Sequence, residues 1–192
     1  MPRKPASGPI LAAATQCLIA GEGDFEMSEV ARRAGVSEGL AYHYFKSKAG
    51  LLSAVVDGFF ERFNAITNQR YDGDIPWPER ERARLSAIIA FLYEEPLAPV
   101  IYGPMSRSLE VAAAELRGQR ELIERSAYNI EDGIRRGFIP KSVDPHIAGA
   151  AIMGAVNAVF AQAMRQDPRP DPDWLANKMW AFIAAAVELK ES

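Results

Sequence analysis

The chain has 192 residues, a formal net charge of −3 and a single cysteine, Cys17. This length allows one ordinary domain, or a small head on a larger body, with a real hydrophobic core. The weak negative charge argues against indiscriminate nucleic-acid binding but leaves a local basic site possible. One cysteine cannot form an internal disulfide, which favours a reducing compartment. No secretory signal is visible near Met1, so we expect a cytoplasmic protein.

The first 48 residues predict three short helices. Apolar residues at positions 10–18 recur at the spacing of one buried helical face, and Cys17 in that stripe is expected to be a buried thiol. A second helix is predicted over 27–34 and a third over 38–45. This segment carries six Lys or Arg and five acidic residues, so it is slightly basic while the rest of the chain is acidic.

The remainder of the chain predicts longer helices, interrupted by proline. The predicted ranges are 49–71, 78–95, a short or broken helix between Pro96 and Pro104, 107–136, 145–166 and 172–191. No stretch shows sustained period-two alternation, so the predicted fold class is all-α with about nine helices. The apolar run over 146–164 is mostly alanine, which favours a buried packing helix over a membrane span.

Residues 35–39, with the sequence GVSEG, admit two interpretations. They match the G-x-S-x-G pattern of a hydrolase nucleophile elbow with Ser37 as nucleophile, but an elbow follows a strand and a helix is predicted before Gly35. In a DNA-binding helix-turn-helix, Ala31 is the small crossing residue, Gly35 makes the turn, Val36 is an apolar plug and Ser37 caps the next helix. The second interpretation is favoured. The alternatives are a small serine hydrolase and a helical binding protein with no role at DNA.

The residues around this turn also carry a family resemblance. Residues 30–39 (VARRAGVSEG), 42–48 (YHYFKSK) and 51–52 (LL) are similar to the DNA-binding head of the tetracycline-repressor (TetR) family of bacterial regulators. The match spans roughly residues 8–55, and the remainder agrees in layout only. The resemblance implies a homodimeric transcription factor, usually a repressor, that releases a palindromic operator in double-stranded DNA when a small molecule binds its body.

The resemblance implies a helix-turn-helix domain at 1–48. The positions that correspond to DNA contacts in the family are Ser28, Ser37, Glu38, Gly39, Leu40, Tyr42, His43, Tyr44 and Lys48. Lys48 and Tyr42 are expected to contact phosphates. Of His43 and Tyr44, one is expected to face the groove and the other the core of the head, with His43 favoured as the DNA-facing residue. No metal site and no cofactor are predicted.

The resemblance assigns 49–192 to a helical ligand-binding and dimerisation domain. Small residues at every fourth position of the 145–166 helix suit a four-helix interface across a two-fold axis, against the alternative of tight packing inside one chain. The predicted dimer residues are Ala150, Gly154, Ala158, Leu175, Met179, Phe182 and Ala186. The predicted pocket residues are Phe59, Phe63, Phe91, Tyr102, Met105, Leu109, Tyr128, Met153, Asn157 and Phe160. This mostly apolar set predicts a largely hydrophobic, small effector.

Overall fold

The computed structural model describes residues 7–69, 71, 74–105 and 107–190, except for the side chains of 115 and 118–120. Over these residues the chain forms nine α-helices and no β-strand. They are α1 (Ser7–Ala20), α2 (Met27–Ala34), α3 (Glu38–Phe45), α4 (Lys48–Thr67), α5 (Trp77–Glu94), α6 (Ala98–Tyr102), α7 (Leu109–Arg135), α8 (Pro145–Met164) and α9 (Pro172–Ala186). The predicted all-α class is confirmed.

Two helices end earlier than their apolar periodicity predicts. α4 ends at Thr67, whose hydroxyl donates to the carbonyl of Asn64 at 3.0 Å. α9 ends at Ala186, and four residues later the backbone N–H of Lys190 donates to the carbonyl of Phe138 at 3.0 Å. In each case a hydrogen bond near the helix end offers the chain an alternative to a further helical turn.

The chain divides into two compact units. The first unit consists of residues 1–61 and 96–115, and the second of residues 62–95 and 116–192. The chain passes from the first unit to the second within α4. The domain boundary predicted after residue 48 stays a prediction.

The first unit has a core that α1, α2, α3, the first part of α4 and α6 share. Phe59 of α4 is fully buried, and its ring lies edge-on to that of Tyr102 of α6, with 6.2 Å between centroids. Gly23, in the turn after α1, has a φ of +105°, and a Cβ there would lie 2.9 Å from Cγ of Met105. Cys17 is buried, as predicted, and burial raises the pKa of its thiol.

The second unit packs α5, α7, α8 and α9 around buried aromatic residues. Trp77 of α5 donates its indole N–H to the carbonyl of Asn129 at 2.6 Å, and its ring centroid lies 6.4 Å from that of Trp180. Gly133 of α7 lies against this cluster: a Cβ at that position would be 3.1 Å from Trp77 and 2.6 Å from Ile139. Glycine is therefore required there by close packing.

One face of α8 is buried and the other is exposed. Gly149, Ile152, Val156, Phe160, Ala163 and Met164 form the buried face. The prediction of a buried packing helix is therefore right for one side only. By length and composition α8 is apolar enough to cross a membrane, a criterion that the core helix of a soluble protein also meets.

Candidate nucleic-acid interface and ligand cleft

The turn between α2 and α3 has the geometry predicted from its sequence. Gly35 ends α2 with φ 66° and ψ 32°, in the left-handed region, and a Cβ there would meet nothing within 4 Å, so the backbone conformation alone favours glycine. The N–H of Val36 donates to the carbonyl of Ala31 at 3.0 Å. Ser37 is the N-cap of α3, and its Oγ accepts from the N–H of Leu40 at 3.2 Å.

The nucleophile-elbow interpretation fails on this local structure. The residues before Gly35 form α2, whereas an elbow places its serine between a strand and a helix. The hydroxyl of Ser37 is used as a helix cap. The N-terminus of a helix instead favours a phosphate oxygen, because of its backbone N–H groups and the helix dipole.

The outer face of α3 is rich in aromatic side chains. Tyr42 and Tyr44 are each 41% exposed, and His43 is exposed too. The prediction that one of His43 and Tyr44 faces the core is wrong. Ala41 is the buried residue of this short helix, and the next inward position, one turn later, belongs to the partly buried Phe45.

The two arginines of α2 are paired within the helix. Glu29 accepts two hydrogen bonds from Arg32, at 2.7 and 2.8 Å, and one from Arg33 at 2.8 Å. These bonds, with Arg32 contributing most, lower the pKa of Glu29 to about 2. The carboxylate is therefore ionised at any pH at which the protein meets DNA, and it offsets part of the positive charge of the head.

Lys48, expected at a phosphate, forms an ion pair inside the first unit. Its Nζ lies 2.7 Å from Oδ1 of Asp24 and 3.7 Å from Oε1 of Glu26. The ammonium group also lies 5.6 Å from the ring centroid of Phe25. The hydrogen bond between Lys48 and Asp24 raises the pKa of the lysine and lowers that of the carboxyl group. A phosphate contact by Lys48 has to compete with this pair.

The second unit contains a polar cleft of about 600 Å³ next to a smaller apolar cavity of about 110 Å³. Three residues, Arg84, Arg125 and Asn129, line both. The cleft is otherwise lined by Gln69, Tyr71, Arg80, Glu121, Glu124 and Tyr128. The shared residues place a charged cleft directly beside an apolar cavity.

A partly buried ion network borders the charged cleft. Glu81 accepts hydrogen bonds from Nε of Arg80 at 2.8 Å and from Nη1 of Arg84. Asp132 accepts from Nη1 of Arg80 at 2.9 Å and from Arg135. Burial by itself would raise the pKa of Asp132, but the hydrogen bonds from Arg80 and Arg135 outweigh it, and the pKa lies below its ordinary value.

Comparison with known proteins agrees with the structure of the head and with the whole helical layout. Residues 10–55 match the family model described as bacterial regulatory proteins, tetR family. The chain is 24% identical over 163 residues to the uncharacterized HTH-type transcriptional regulator YhgD of Bacillus subtilis (strain 168), with 84% of this chain and 85% of YhgD covered. The head of the chain, residues 10–55, is therefore a tetR-family head.

Two further similarities extend over nearly the whole chain. The nucleoid occlusion factor SlmA of Aliivibrio fischeri (strain MJ11) is 26% identical over 200 residues, which cover 97% of this chain and 98% of SlmA. The structure of SmeT, the repressor of the Stenotrophomonas maltophilia multidrug efflux pump SmeDEF, superposes with a TM-score of 0.79. It is 23% identical in sequence and covers 97% of this chain and 91% of SmeT, a likeness that concerns the fold.

The predicted pocket residues lie in several different places. Phe63 and Met153 line the apolar cavity, Tyr128 lines the polar cleft, and the ring of Phe91 lies 6.3 Å from that of Phe63. Phe160 is fully buried core, and Asn157 is partly buried but lines neither space. The four that belong to the first unit are Phe59, Tyr102, Met105 and Leu109.

Leu109 is the pocket prediction that the structure contradicts. Its side chain is 84% exposed, because it is the first residue of α7 and lies where the chain enters the helix. The predicted pocket residues do not include Arg80, Arg84 or Arg125, which line the polar cleft. The spacing of four residues between Arg80 and Arg84 places both on one face of α5 and was a usable signal.

An apolar groove lies between α8 and α9 on the surface of the second unit. It has a volume of about 570 Å³, and Leu175 and Met179 are buried along it. Trp174 is 53% exposed and Phe182 50% exposed at its sides. The other predicted dimer residues, all exposed, are Ala150, Gly154, Ala158 and Ala186.

The predicted DNA-contacting residues of the TetR-family head share one property in the structure. Except for Lys48, which is partly buried, all of them are exposed: Ser28, Ser37, Glu38, Gly39, Leu40, Tyr42, His43 and Tyr44. Their contacts with DNA stay predictions.

Proposed function

We propose that this TetR-family regulator is a homodimeric repressor that binds a palindromic operator and leaves it when a small molecule occupies the second unit. The observation that carries the proposal is the outer face of α3. Tyr42, His43 and Tyr44 are exposed there next to a helix N-terminus that Ser37 caps.

The chemistry of this face suits DNA. The hydroxyl of Tyr42 suits a phosphate oxygen, and the ring of His43 suits the donor and acceptor groups of a base edge. Leu40, also on this face, offers an apolar contact such as a thymine methyl group. Backbone N–H groups in the first turn of a helix favour a phosphate, and the first turn of α3 follows the exposed Ser37.

An operator with two-fold symmetry requires a DNA-binding protein with two-fold symmetry. The groove between α8 and α9 supports a dimer because Trp174 and Phe182 are large apolar side chains with about half of their surface exposed. The small residues Gly154 and Ala158 on the exposed side of α8 would allow a helix of a second copy to approach closely. We therefore assign the dimer contact to this face.

Release by an effector is proposed to act through α4. This helix begins at Lys48 beside the head and ends at Thr67, and its residues Phe63 and Thr67 line the apolar cavity. A ligand that moves the end of α4 would change the separation of the two recognition helices. Because half-sites lie about 34–36 Å apart, a small change in separation costs much affinity.

Selection from a random double-stranded DNA pool tests the proposal. We expect enrichment of a palindrome, and weaker binding to it by Tyr42→Phe measured at fixed salt. The matched control is Tyr128→Phe, which changes an exposed tyrosine of the second unit and should bind as the unaltered protein does. No enrichment, or equal binding by both variants, would contradict the assignment of α3 to DNA.

The relative named nucleoid occlusion factor favours a second candidate. Its match covers 97% of this chain, so a role on the nucleoid as a whole is the alternative to control of one operator. Mapping of occupied sites on the bacterial chromosome separates the two. One or a few promoter sites support the repressor, whereas many dispersed sites far from promoters support nucleoid occlusion.

A further inference from the structure

The polar cleft of the second unit has buried hydrogen-bond donors without acceptors. Nη2 of Arg80 and Nε of Arg84 are buried and have no hydrogen-bond partner among the described residues. Arg84 donates hydrogen bonds from Nη1 to Glu81 and from Nη2 to the carbonyl of Gln69 at 3.2 Å. Its guanidinium carbon also lies 5.2 Å from the ring centroid of Tyr71. Buried N–H groups are nearly always satisfied, so two unpaired charged donors beside one cleft indicate an acceptor that binds there.

A third arginine faces the same space. Arg125 of α7 is partly buried and lines both the cleft and the apolar cavity. Its guanidinium forms no ion pair within 4 Å with any residue that the structure describes. Guanidinium groups bind carboxylate and phosphate oxygens through two parallel hydrogen bonds, which makes Arg125 the best placed group for an incoming anion.

The acidic residues nearby do not remove the preference of the cleft for an anion. Glu81 and Asp132 already accept hydrogen bonds from Arg80 and from a second arginine each. Glu121 and Glu124, on the side of α7 that borders the cleft, are exposed to solvent. Glu124 also has His146 within 3.9 Å. Exposed charges are screened by water and salt, so the partly buried arginines dominate inside the cleft.

The apolar cavity limits the size of what the anion carries. Its volume is about 110 Å³, and its apolar lining includes Phe63, Leu85, Ile88, Ile152, Met153 and Val156. A dry cavity of about 150 Å³ lined by similar side chains holds one benzene molecule. The cavity therefore suits an apolar group of a few carbon atoms.

We propose that the second unit binds a small amphipathic anion, with its carboxylate or phosphate on Arg125 and the unpaired donors of Arg80 and Arg84, and a short apolar group in the cavity. This inference rests on the proposed function, because it names the chemical class of the effector. It differs from the sequence prediction of a largely hydrophobic ligand, since recognition here depends on a charged head group.

Calorimetry with four probes that carry the same hexyl chain tests the inference without DNA. Heptanoate, hexyl phosphate, 1-hexanol and hexylamine differ only in the head group. We expect one of the two anions to bind at least about tenfold more tightly than the alcohol, and the amine to bind most weakly, because charge-assisted hydrogen bonds form only with the anions. Which anion binds more tightly distinguishes a carboxylate from a phosphate ligand. Equal binding of all four, tighter binding of the amine, or no binding of either anion overturns the inference.

Arg125→Gln is the informative variant, because Arg84 is part of the partly buried ion network and its loss would disturb folding. In Arg125→Gln we expect the preference for the anion over the alcohol to fall at least about tenfold. The control, Arg165→Gln, changes an exposed arginine that lines neither space and should keep the preference. Circular dichroism spectra of both variants should match that of the unaltered protein. An unchanged preference in folded Arg125→Gln overturns the inference.

Operator binding is then measured with the preferred anion present. Loss of operator binding supports the proposed release. If the anion binds with the expected preference but the operator affinity does not change, the assignment of the ligand class stands and the proposed release fails. The two failures are therefore distinguishable.

Discussion

Gly154 and Gly149 lie on the same helix and should respond to substitution in opposite ways. A Cβ at Gly154 would meet nothing within 4 Å in the isolated chain. A Cβ at Gly149 would lie 3.1 Å from the backbone nitrogen of Ala127 and 3.3 Å from Cβ of Ser126. Within one chain, Gly154→Ala should stabilise α8 by about 0.8–1 kcal/mol, because alanine is the better helix former. Gly149→Ala should lower the free energy of unfolding, by about 1–3 kcal/mol, because the side chain has no space.

In a dimer, a larger side chain at Gly154 is expected to be unfavourable instead of stabilising. If two copies of α8 approach each other at this residue, a leucine there overpacks the interface at a cost of about 1–3 kcal/mol per site. A two-fold axis introduces the change twice, so Gly154→Leu should weaken association by about 2–6 kcal/mol, or at least about thirtyfold in Kd. Gly154 is exposed and a Cβ there has room in the isolated chain, so the monomer should stay folded.

Sedimentation equilibrium over a range of protein concentrations measures the dimer Kd, and urea unfolding measures the stability of each variant. Gly149→Ala controls for damage to the fold, because its effect should appear in the unfolding curve. An unchanged dimer Kd in folded Gly154→Leu would refute the assignment of the exposed side of α8 to the interface.

Three other substitutions test the head and the ion network. Ser37→Ala removes the cap of α3 and should cost about 1 kcal/mol of helix stability and weaken operator binding, as measured by urea unfolding and fluorescence anisotropy. It should not alter any ester hydrolysis, and a loss of turnover in that variant would revive the hydrolase interpretation. Lys48→Ala should reduce the slope of log K against log salt for operator binding by about one, whereas an unchanged slope would mean that Lys48 stays with Asp24 in the complex. The depressed pKa of Asp132 contributes stability that is present above its ordinary value of 3.8 and is lost as the pH falls through the folded value. Asp132→Asn should therefore flatten the acid side of the stability curve, and an unchanged pH dependence of urea unfolding would count against this role.

The parts of the head that could be predicted are those that depend on neighbours in sequence. Gly35 and Ser37 were identified because a left-handed glycine and an N-cap serine are local requirements of the turn. The side of α3 that faces the core was harder to predict. α3 has only eight residues, and its apolar residues do not form one clear face, so periodicity cannot decide between Tyr44 and Phe45. In the folded head Phe45 is the partly buried residue of the two.

The cleft could not be predicted because its contacts join distant parts of the chain. Arg80 and Asp132 are 52 positions apart, as are Trp77 and Asn129. The predicted pocket consists mainly of apolar residues, and apolar residues more often belong to the hydrophobic core, as Phe160 does. Charged residues on an amphipathic helix are usually solvated, so nothing in the sequence marked Arg84 as partly buried.

The charges of the head make the dimer important for DNA binding. The four basic side chains of the described head all contact groups of the same unit: Arg32, Arg33, Lys46 and Lys48. With Glu29 ionised down to a pH of about 2, this charge compensation persists at neutral pH. Among its described residues, one head therefore has few free cations for phosphates. Two linked heads gain affinity through the high effective concentration of the second head. We expect Gly154→Leu to bind a single half-site as well as the unaltered protein does, but to bind the full palindrome much more weakly. Anisotropy with both DNA lengths measures this, and equal loss on both would show that the substitution damages the head itself.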